Sequence, residues 1–175
     1  TQINVLKRYL HVLALLQNNK DPFDWNASTL ANLLSREDNN IISDKTVRDY
    51  IQKYLIEELD LEVEKKQGCK RTELAKSLDK DTMLKIAMIY SSFIVSDSSK
   101  DIVLTRLIEK HNENALWLLA RIYFARIEKL KIAFEYQSNT SSADNSYTVN
   151  PYHLMFRNNN LYLISKAENH GSVSL

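Results

Sequence analysis

Two short stretches of the sequence concentrate polar and positively charged side chains. In residues 43–53, serine, threonine, lysine, arginine and glutamine fall between apolar residues at helical spacing. In residues 65–71, four cations surround one glycine, and no carboxylate lies among them. Arginine and lysine bind phosphates, and polar groups near the start of a helix reach base edges in a DNA major groove. The two stretches therefore predict contact with a nucleic acid.

The first stretch lies in a helix predicted over residues 42–59. Ser43 is a typical N-cap, and Asp44 suits the positive end of a helix. Apolar residues at spacings of three and four form a face that we expect to be buried: Val47, Tyr50, Ile51, Tyr54, Leu55 and Leu59. The candidate DNA-binding residues of this helix are Ser43, Lys45, Thr46, Arg48, Gln52 and Lys53. An ordinary solvated helix surface explains the same spacing, so periodicity alone leaves both interpretations open.

The second stretch lies at the tip of a predicted hairpin. Residues 61–64 alternate as a strand does, and residues 72–74 supply a second short strand. The candidate phosphate contacts are Lys65, Lys66, Lys70 and Arg71. Four neutralised phosphates would give a log–log salt dependence of binding with a slope of about −3.6. A solvated turn is the alternative interpretation, because hairpin tips are often charged.

Two further helices precede this helix and hairpin. Apolar residues at helical spacing predict the first helix over residues 2–17. The second is predicted over residues 27–34, with Asn26 or Ser28 as its N-cap. The polar residues 35–40 are predicted to form a loop before the next helix.

Three helices followed by a basic hairpin describe a winged helix-turn-helix, which we assign to residues 1–76. A helical connector follows over residues 77–129, with Asp81 as a candidate cap. Its first apolar stripe consists of Leu84, Ala87, Met88, Ser91, Ile94 and Val95. Its second stripe consists of Leu116, Leu119, Ala120, Tyr123 and Ile127. Both stripes are candidate dimer surfaces, and packing within the chain explains them equally well.

Strand patterns dominate the last part of the chain. Strands are predicted over residues 131–137, 147–157 and 161–165, and Asn158 begins the turn of a hairpin. These strands predict a small antiparallel β-domain over residues 130–175, so the fold class of the chain is predicted to be α+β. The sequence stops soon after the last strand, and we expect this domain to be truncated.

The chain also resembles a known family in two places. Val149, Asn150, Pro151, Tyr152, His153 and Leu154, followed by a turn and by Leu161, Tyr162, Leu163 and Ile164, look like the WYL domain of bacterial transcriptional regulators. The run from Ile42 to Asp49 is similar to the winged helix-turn-helix that usually precedes a WYL domain. Leu161 stands where the family has its signature tryptophan, and Tyr147 stands where the family often has arginine.

The resemblance implies a small barrel of the SH3 or Sm type that senses a ligand. The effector that it implies is a nucleotide or a single-stranded nucleic acid. Strand alternation puts Tyr152, Leu154 and Phe156 on one face, and His153, Met155 and Arg157 on the other, more polar face. The candidate effector-binding residues are Tyr147, His153, Arg157 and Tyr162. Aromatic residues on a small sheet are more often core or cross-strand packing, so that interpretation stays open.

The overall composition limits the functional classes. The chain has 23 Lys and Arg against 22 Asp and Glu, so any affinity for nucleic acid must come from locally clustered charge. The single cysteine, Cys69, is compatible with a reducing compartment, and no apolar run is long enough for a membrane span. None of the four histidines has metal-ligand spacing, and His11 is expected on a helix surface. We expect a soluble, cytoplasmic protein without a metal or other cofactor.

The sequence therefore predicts a homodimeric regulator that binds double-stranded DNA and has no enzymatic activity. An alternative is an interaction module whose winged helix binds protein, which the near-neutral net charge of +1 keeps open. A nucleic-acid-processing enzyme is a third possibility. The lack of an acidic metal-binding cluster in the sequence argues against it.

Overall fold

The computed structural model describes residues 2–17, 21, 23–66, 68, 70–94, 100–111, 114–136, 145–158 and 160–167. The helices are α1 (Gln2–Leu15), α2 (Ala27–Asp38), α3 (Asp44–Tyr50), α4 (Lys80–Ile94), α5 (Lys100–His111) and α6 (Ala115–Ile127). The strands are β1 (Val63–Lys66), β2 (Arg71–Leu74), β3 (Ile132–Tyr136), β4 (Asn145–Arg157) and β5 (Asn160–Ala167). They form two antiparallel sheets, β1–β2 and β3–β4–β5, so the predicted α+β class is confirmed.

Helix α2 begins at a capping box and is longer than predicted. The Asn26 side chain accepts hydrogen bonds from the backbone N–H groups of Ser28 and Thr29, and Thr29 Oγ1 accepts from Asn26 N at 2.9 Å. The predicted loop at residues 35–40 is wrong, because the helix continues to Asp38. Ser35 Oγ donates to the carbonyl oxygen of Ala31 at 2.7 Å and accepts from Ile42 N at 2.8 Å, so this serine stabilises the helix end and the following turn.

Helix α3 begins where the sequence predicts. The Ser43 hydroxyl caps the helix by accepting from the backbone N–H of Thr46 at 3.1 Å. A π-helical segment, Ile51–Glu58, then continues the helix. Val47 and Leu55 are fully buried as predicted, but Leu59 is 38% exposed. The wider π-helical turn changes the angle between successive residues, so spacings of three and four no longer describe one face.

The hairpin of β1 and β2 is fastened to the residues in front of α2. Gly68 has a φ of 64°, a left-handed conformation at the hairpin tip that suits glycine. Thr72 N donates to the carbonyl oxygen of Trp25 at 2.6 Å, and Leu74 N donates to that of Leu16 at 3.2 Å. The hairpin therefore has a fixed position on the N-terminal helices.

Helices α4 and α6 pack against α1 and complete the helical core. The predicted stripe on α6 is confirmed, because Leu116, Leu119, Ala120 and Tyr123 are buried and Ile127 is partly buried. The predicted stripe on α4 is partly wrong. Ala87, Ser91 and Ile94 are buried as predicted, but Met88 is 38% exposed and Met83, Ile86 and Tyr90 are also buried. Val95 lies outside the described residues. The cap of α4 is Asp79 and not Asp81, since Asp79 Oδ1 accepts from the backbone N–H groups of Asp81 and Thr82.

The β3–β4–β5 sheet covers one side of α6. Val149, Leu154, Phe156 and Leu163 are among its buried side chains, and Asn158 turns the β4–β5 hairpin with a φ of 48°. In the described residues this is an open sheet of three strands and not a closed barrel. Over the same residues, no helix is both long and apolar enough to cross a membrane.

Candidate functional sites

The outward face of α3 presents most of the predicted DNA-binding side chains. Lys45 and Arg48 are exposed, and within the described residues neither has an ion-pair partner. Thr46 is half-buried, and its hydroxyl lies 3.0 Å from that of Ser43. Because the cap already uses the Ser43 hydroxyl, a phosphate at the helix start would bind mainly to backbone N–H groups.

The exposed residues of the π-helical segment are held more tightly. Gln52 Nε2 donates to Glu57 Oε1 at 3.0 Å. The Lys53 ammonium lies 5.3 Å from the centroid of the Tyr54 ring, a cation–π contact. These two side chains must leave their partners before they can contact DNA, whereas Lys45 and Arg48 need no such change.

The four hairpin cations form two groups that differ in whether they make ion pairs. Lys66 and Arg71 both form ion pairs with Glu73, which is only 4% exposed; the Arg71 Nε to Glu73 Oε2 distance is 3.2 Å. Arg71 also donates to the carbonyl oxygen of Asp21 at 3.0 Å. The interpretation of four unopposed cations is therefore wrong, because the β1–β2 register brings Glu73 beside two of them.

Lys65 and Lys70 are the remaining hairpin cations. Both are exposed, and neither forms an ion pair among the described residues. The backbone carbonyl oxygen of Lys70 accepts from Asn26 Nδ2 at 3.1 Å, which ties the hairpin tip to the cap of α2. The hairpin thus presents two unpaired positive charges from a fixed position.

The predicted effector-binding residues do not form one site. His153 and Arg157 are exposed and Tyr162 is half-buried, and the β4–β5 register places all three on the outer face of the sheet. Tyr147 instead stacks on Phe134 with ring centroids 5.6 Å apart. The prediction that Tyr152 shares a face with Leu154 is wrong, because a register shift between Pro151 and His153 leaves Tyr152 55% exposed.

A large cleft lies on the opposite side of the sheet, between α2, α5, α6 and the strands. Its volume is about 1190 Å³, and its walls include Phe23, Trp25, Trp117, Arg121 and Phe134. None of the four predicted effector-binding residues lines it. Sequence reasoning missed this cleft because its walls are far apart along the chain and no local motif marks them.

A buried carboxylate holds the aromatic end of the cleft together. Asp21 is 1% exposed, and its Oδ2 accepts from the indole N–H of Trp25 at 2.8 Å and from that of Trp117. Arg121 Nε lies 3.9 Å from the same oxygen, and Arg121 Cζ lies 4.2 Å from the centroid of the Phe23 ring. Burial lowers the pKa of Arg121, and Asp21 opposes this effect. A guanidinium stays protonated in proteins, so Arg121 supplies a positive charge.

A second cluster of buried polar side chains, centred on His11 and Glu37, joins α1, α2, α4 and α6 and was not predicted. His11 on α1 is fully buried, so the expectation of a surface histidine is wrong: α4 and α6 cover this part of α1. Its Nδ1 lies 2.7 Å from the Tyr90 hydroxyl, and its Nε2 lies 3.5 Å from Glu37 Oε2. Glu37 also accepts from Tyr123 at 2.9 Å and forms an ion pair with Lys7.

The environment of this cluster fixes its charges. Burial lowers the pKa of His11, although Glu37 acts in the opposite direction. Burial also disfavours the ionised form of Glu37, but the contacts with His11, Lys7 and Tyr123 outweigh it and lower the pKa of Glu37 to about 2. A neutral His11 that carries its proton on Nε2 accepts from Tyr90 and faces the Glu37 carboxylate with its N–H.

Comparison with known proteins bears on the C-terminal part of the chain. Residues 118–175 match the WYL domain family. The match starts within α6 and includes the whole described β3–β4–β5 sheet, so the C-terminal part of the chain, with the end of α6, is similar to a WYL domain. No curated protein and no solved structure matches the chain.

Proposed function

We propose that this WYL-domain protein is a transcriptional regulator that binds duplex DNA through α3 and the β1–β2 hairpin. One observation carries the proposal: the exposed Lys45 and Arg48 of a serine-capped helix belong to the same helical unit as a hairpin with exposed Lys65 and Lys70. This unit precedes the segment that is similar to a WYL domain, a domain found in transcriptional regulators and ligand-sensing modules.

The division of labour follows from the side chains. The start of α3 enters the major groove, where Arg48 donates two hydrogen bonds to a guanine and Lys45 and Thr46 contact neighbouring bases. Lys65 and Lys70 bind phosphates of the backbone and so fix the orientation of the helix. Because the net charge of the chain is only +1, this local cluster has to supply the electrostatic attraction.

The WYL domain gives the regulator its control. An effector bound there changes the arrangement of the helices and so the affinity for DNA. The outer sheet face, with His153, Arg157 and Tyr162, is a candidate surface for a nucleotide or a single-stranded nucleic acid. In this proposal the chain binds and releases DNA and catalyses no reaction.

The proposal includes a homodimer in the cytoplasm. One helix-turn-helix covers a small part of a binding site, and a second copy gives the spacing and affinity of two half-sites. The stripe on α6 is occupied by packing within the chain. On α4, Met88 and Ile89 are 38% and 47% exposed, and this pair is the better candidate for contact with a second copy.

Fluorescence anisotropy with a labelled duplex at two salt concentrations tests the proposal. We expect salt-dependent binding that Arg48→Ala weakens by about 1–3 kcal/mol. Lys166→Ala is the matched control, because Lys166 is an exposed cation on β5, away from α3, the hairpin and the Met88–Ile89 pair. The proposal is wrong if the wild-type protein does not bind, or if Arg48→Ala binds as tightly as Lys166→Ala.

One observation favours a second function, a protein-binding winged helix. Glu57, Glu58 and Asp60, at the far end of the π-helical segment, are all exposed and would repel phosphates. An acidic end of this kind suits a basic protein partner. The same anisotropy experiment separates the two functions, because a protein-binding module has no affinity for the duplex at either salt concentration.

A further inference from the structure

We propose that the cleft between α2, α5, α6 and the β3–β5 sheet binds a hydrophobic carboxylate, with its anionic head at Arg121 and its apolar body along the helices. The cleft is distinct from the outer sheet face, since none of the residues predicted to bind an effector lines it. The binding claim stands without the proposed function, whereas the coupling to DNA described below rests on it.

The size and the walls of the cleft suit an apolar body. Ligand pockets usually occupy about 300–1000 Å³, and this cleft of about 1190 Å³ is large enough for a small ligand. Leu107, Ile122, Ile132 and Leu161 are among the apolar side chains that line it, and each is only partly buried. A ligand that covers these side chains removes apolar surface from water, which favours binding.

The charges around the cleft suit an anionic head. Four cationic side chains and one carboxylate lie among its described lining residues, and Arg36 on α2 forms an ion pair with that carboxylate, Glu128. Arg121 lies at the aromatic end, where its guanidinium faces the Phe23 ring. A planar guanidinium binds a carboxylate through two parallel hydrogen bonds, so Arg121 fits the head of the proposed ligand.

The aromatic end is held in place before any ligand arrives. Trp25 and Trp117 come from different parts of the chain, and both indole N–H groups donate to the buried Asp21 carboxylate. Their rings therefore have fixed positions beside Arg121. A site that is ordered in advance loses less conformational entropy when it binds, which raises affinity.

The polar groups in the walls favour this ligand over a nucleotide. Thr29, Asn32 and Asn160 are the uncharged polar side chains among the described lining residues. A nucleobase has several donors and acceptors on its edges, and most of them would be buried without a partner in such a cleft. A hydrophobic carboxylate has all its polar atoms in the head and avoids this cost.

The cleft is also connected to the DNA-binding hairpin. Phe23 and Trp25 line the cleft, and the same segment is hydrogen-bonded to the hairpin at three points. Trp25 O accepts from Thr72 N, Asn26 Nδ2 donates to Lys70 O, and Asp21 O accepts from Arg71. A ligand that packs against Phe23 and Trp25 therefore stabilises this segment and the hairpin bonded to it, which changes the affinity for duplex DNA.

Intrinsic fluorescence measures binding directly, because the only two tryptophans of the sequence, Trp25 and Trp117, both line the cleft. The probe is octanoate, with octan-1-ol as its uncharged counterpart and AMP as a polar anion, and calorimetry gives the affinities. We expect saturable binding of octanoate, at least about tenfold weaker binding of octan-1-ol, and weaker binding of AMP than of octanoate. No saturable octanoate binding, octan-1-ol as tight as octanoate, or AMP tighter than octanoate would overturn the proposal.

Two arginine variants locate the site. Arg121→Gln is expected to weaken octanoate binding about tenfold and to leave octan-1-ol unchanged. Arg157→Gln is the matched control on the outer sheet face and is expected to have no effect. If Arg157→Gln weakened octanoate binding and Arg121→Gln did not, the proposal would be overturned. Phe23→Ala is a second variant of the cleft wall, at a ring that is 45% exposed, and is expected to weaken the binding of both probes.

The coupling is tested by repeating the duplex titration with saturating octanoate. We expect the duplex affinity to change at least threefold, and Arg121→Gln to reduce this change. If octanoate binds and the duplex affinity stays the same, the coupling is wrong. If the duplex does not bind at all while octanoate does, the proposed function fails and the cleft site stands.

Discussion

At the scale of single residues, His11 and Glu37 form the polar centre of an otherwise apolar helical core. The charged neighbours of His11 are Lys7, Glu37 and Asp38, its Nδ1 lies beside the Tyr90 hydroxyl, and its ring stacks on that of Tyr123. Nothing in the sequence around His11 distinguished it from a surface histidine, because its burial depends on α4 and α6, which follow much later in the chain. Burial of such residues is set by tertiary packing and not by local spacing.

This centre predicts that acid destabilises the protein in two steps. The pKa of His11 is lowered in the folded state, so the unfolded chain binds the additional proton and the free energy of unfolding falls below about pH 6.5. The pKa of Glu37 is lowered to about 2, so a second loss begins as the pH falls through the ordinary glutamate range. Urea unfolding measured across this pH range checks both steps.

A pair of histidine variants separates this centre from general acid effects. His11→Gln is expected to remove the first step and to lower stability at neutral pH. His153→Gln is the control, since His153 is exposed, and its unfolding free energy should keep the pH dependence of the wild type. Equal slopes for the two variants between about pH 7 and pH 5.5 would contradict the assignment to His11.

At the scale of elements, the sequence predicted well where short local interactions decide. The cap at Ser43, the hairpin of β1 and β2 and the turn at Asn158 all depend on residues within a few positions of one another. The π-helical winding of Ile51–Glu58 and the register shift at Tyr152 change which face a residue occupies. Both depend on tertiary packing. A prediction from helical or strand periodicity assumes regular geometry, so it misses them.

The ion pairs of the hairpin give a prediction about salt. Among the hairpin cations, Lys65 and Lys70 form no ion pair within the described residues, so the double change Lys65→Ala, Lys70→Ala should reduce the log–log salt slope of duplex binding by about 1.8 for each bound protomer. Arg71→Ala should leave the slope within about 0.5 of wild type, because its guanidinium binds Glu73 and the backbone at Asp21. Anisotropy titrations over a range of salt concentrations measure both values.

The stability of the Arg71 variant has to be measured beside its affinity. Arg71→Ala leaves the buried Glu73 with Lys66 alone, so it is expected to lower the free energy of unfolding by about 1–3 kcal/mol. A salt slope that falls equally for Arg71→Ala and for the double lysine variant would show that Arg71 also contacts phosphate. That result would contradict the division of the hairpin cations into two groups.

At the scale of the whole molecule, the sequence predicted the order of the helices and strands but not the cleft that forms between them. The strands that resemble the WYL domain lie inside the segment that matches this family. The cleft, in contrast, is built from residues that precede α2, from α2, α5 and α6, and from the sheet. Its aromatic end exists only because Asp21 and Trp117, which are 96 positions apart, meet in the folded chain.

In the proposed function, α3 reads DNA sequence and does more than attract phosphates. The most direct measurement compares, at one salt concentration, the affinity for a duplex selected from a random pool with that for an unselected duplex. We predict that the selected duplex binds at least about 10³-fold more tightly and that Arg48→Ala removes about 1–3 kcal/mol of this preference. Equal affinity for the two duplexes, or a preference that Arg48→Ala leaves unchanged, would contradict the claim.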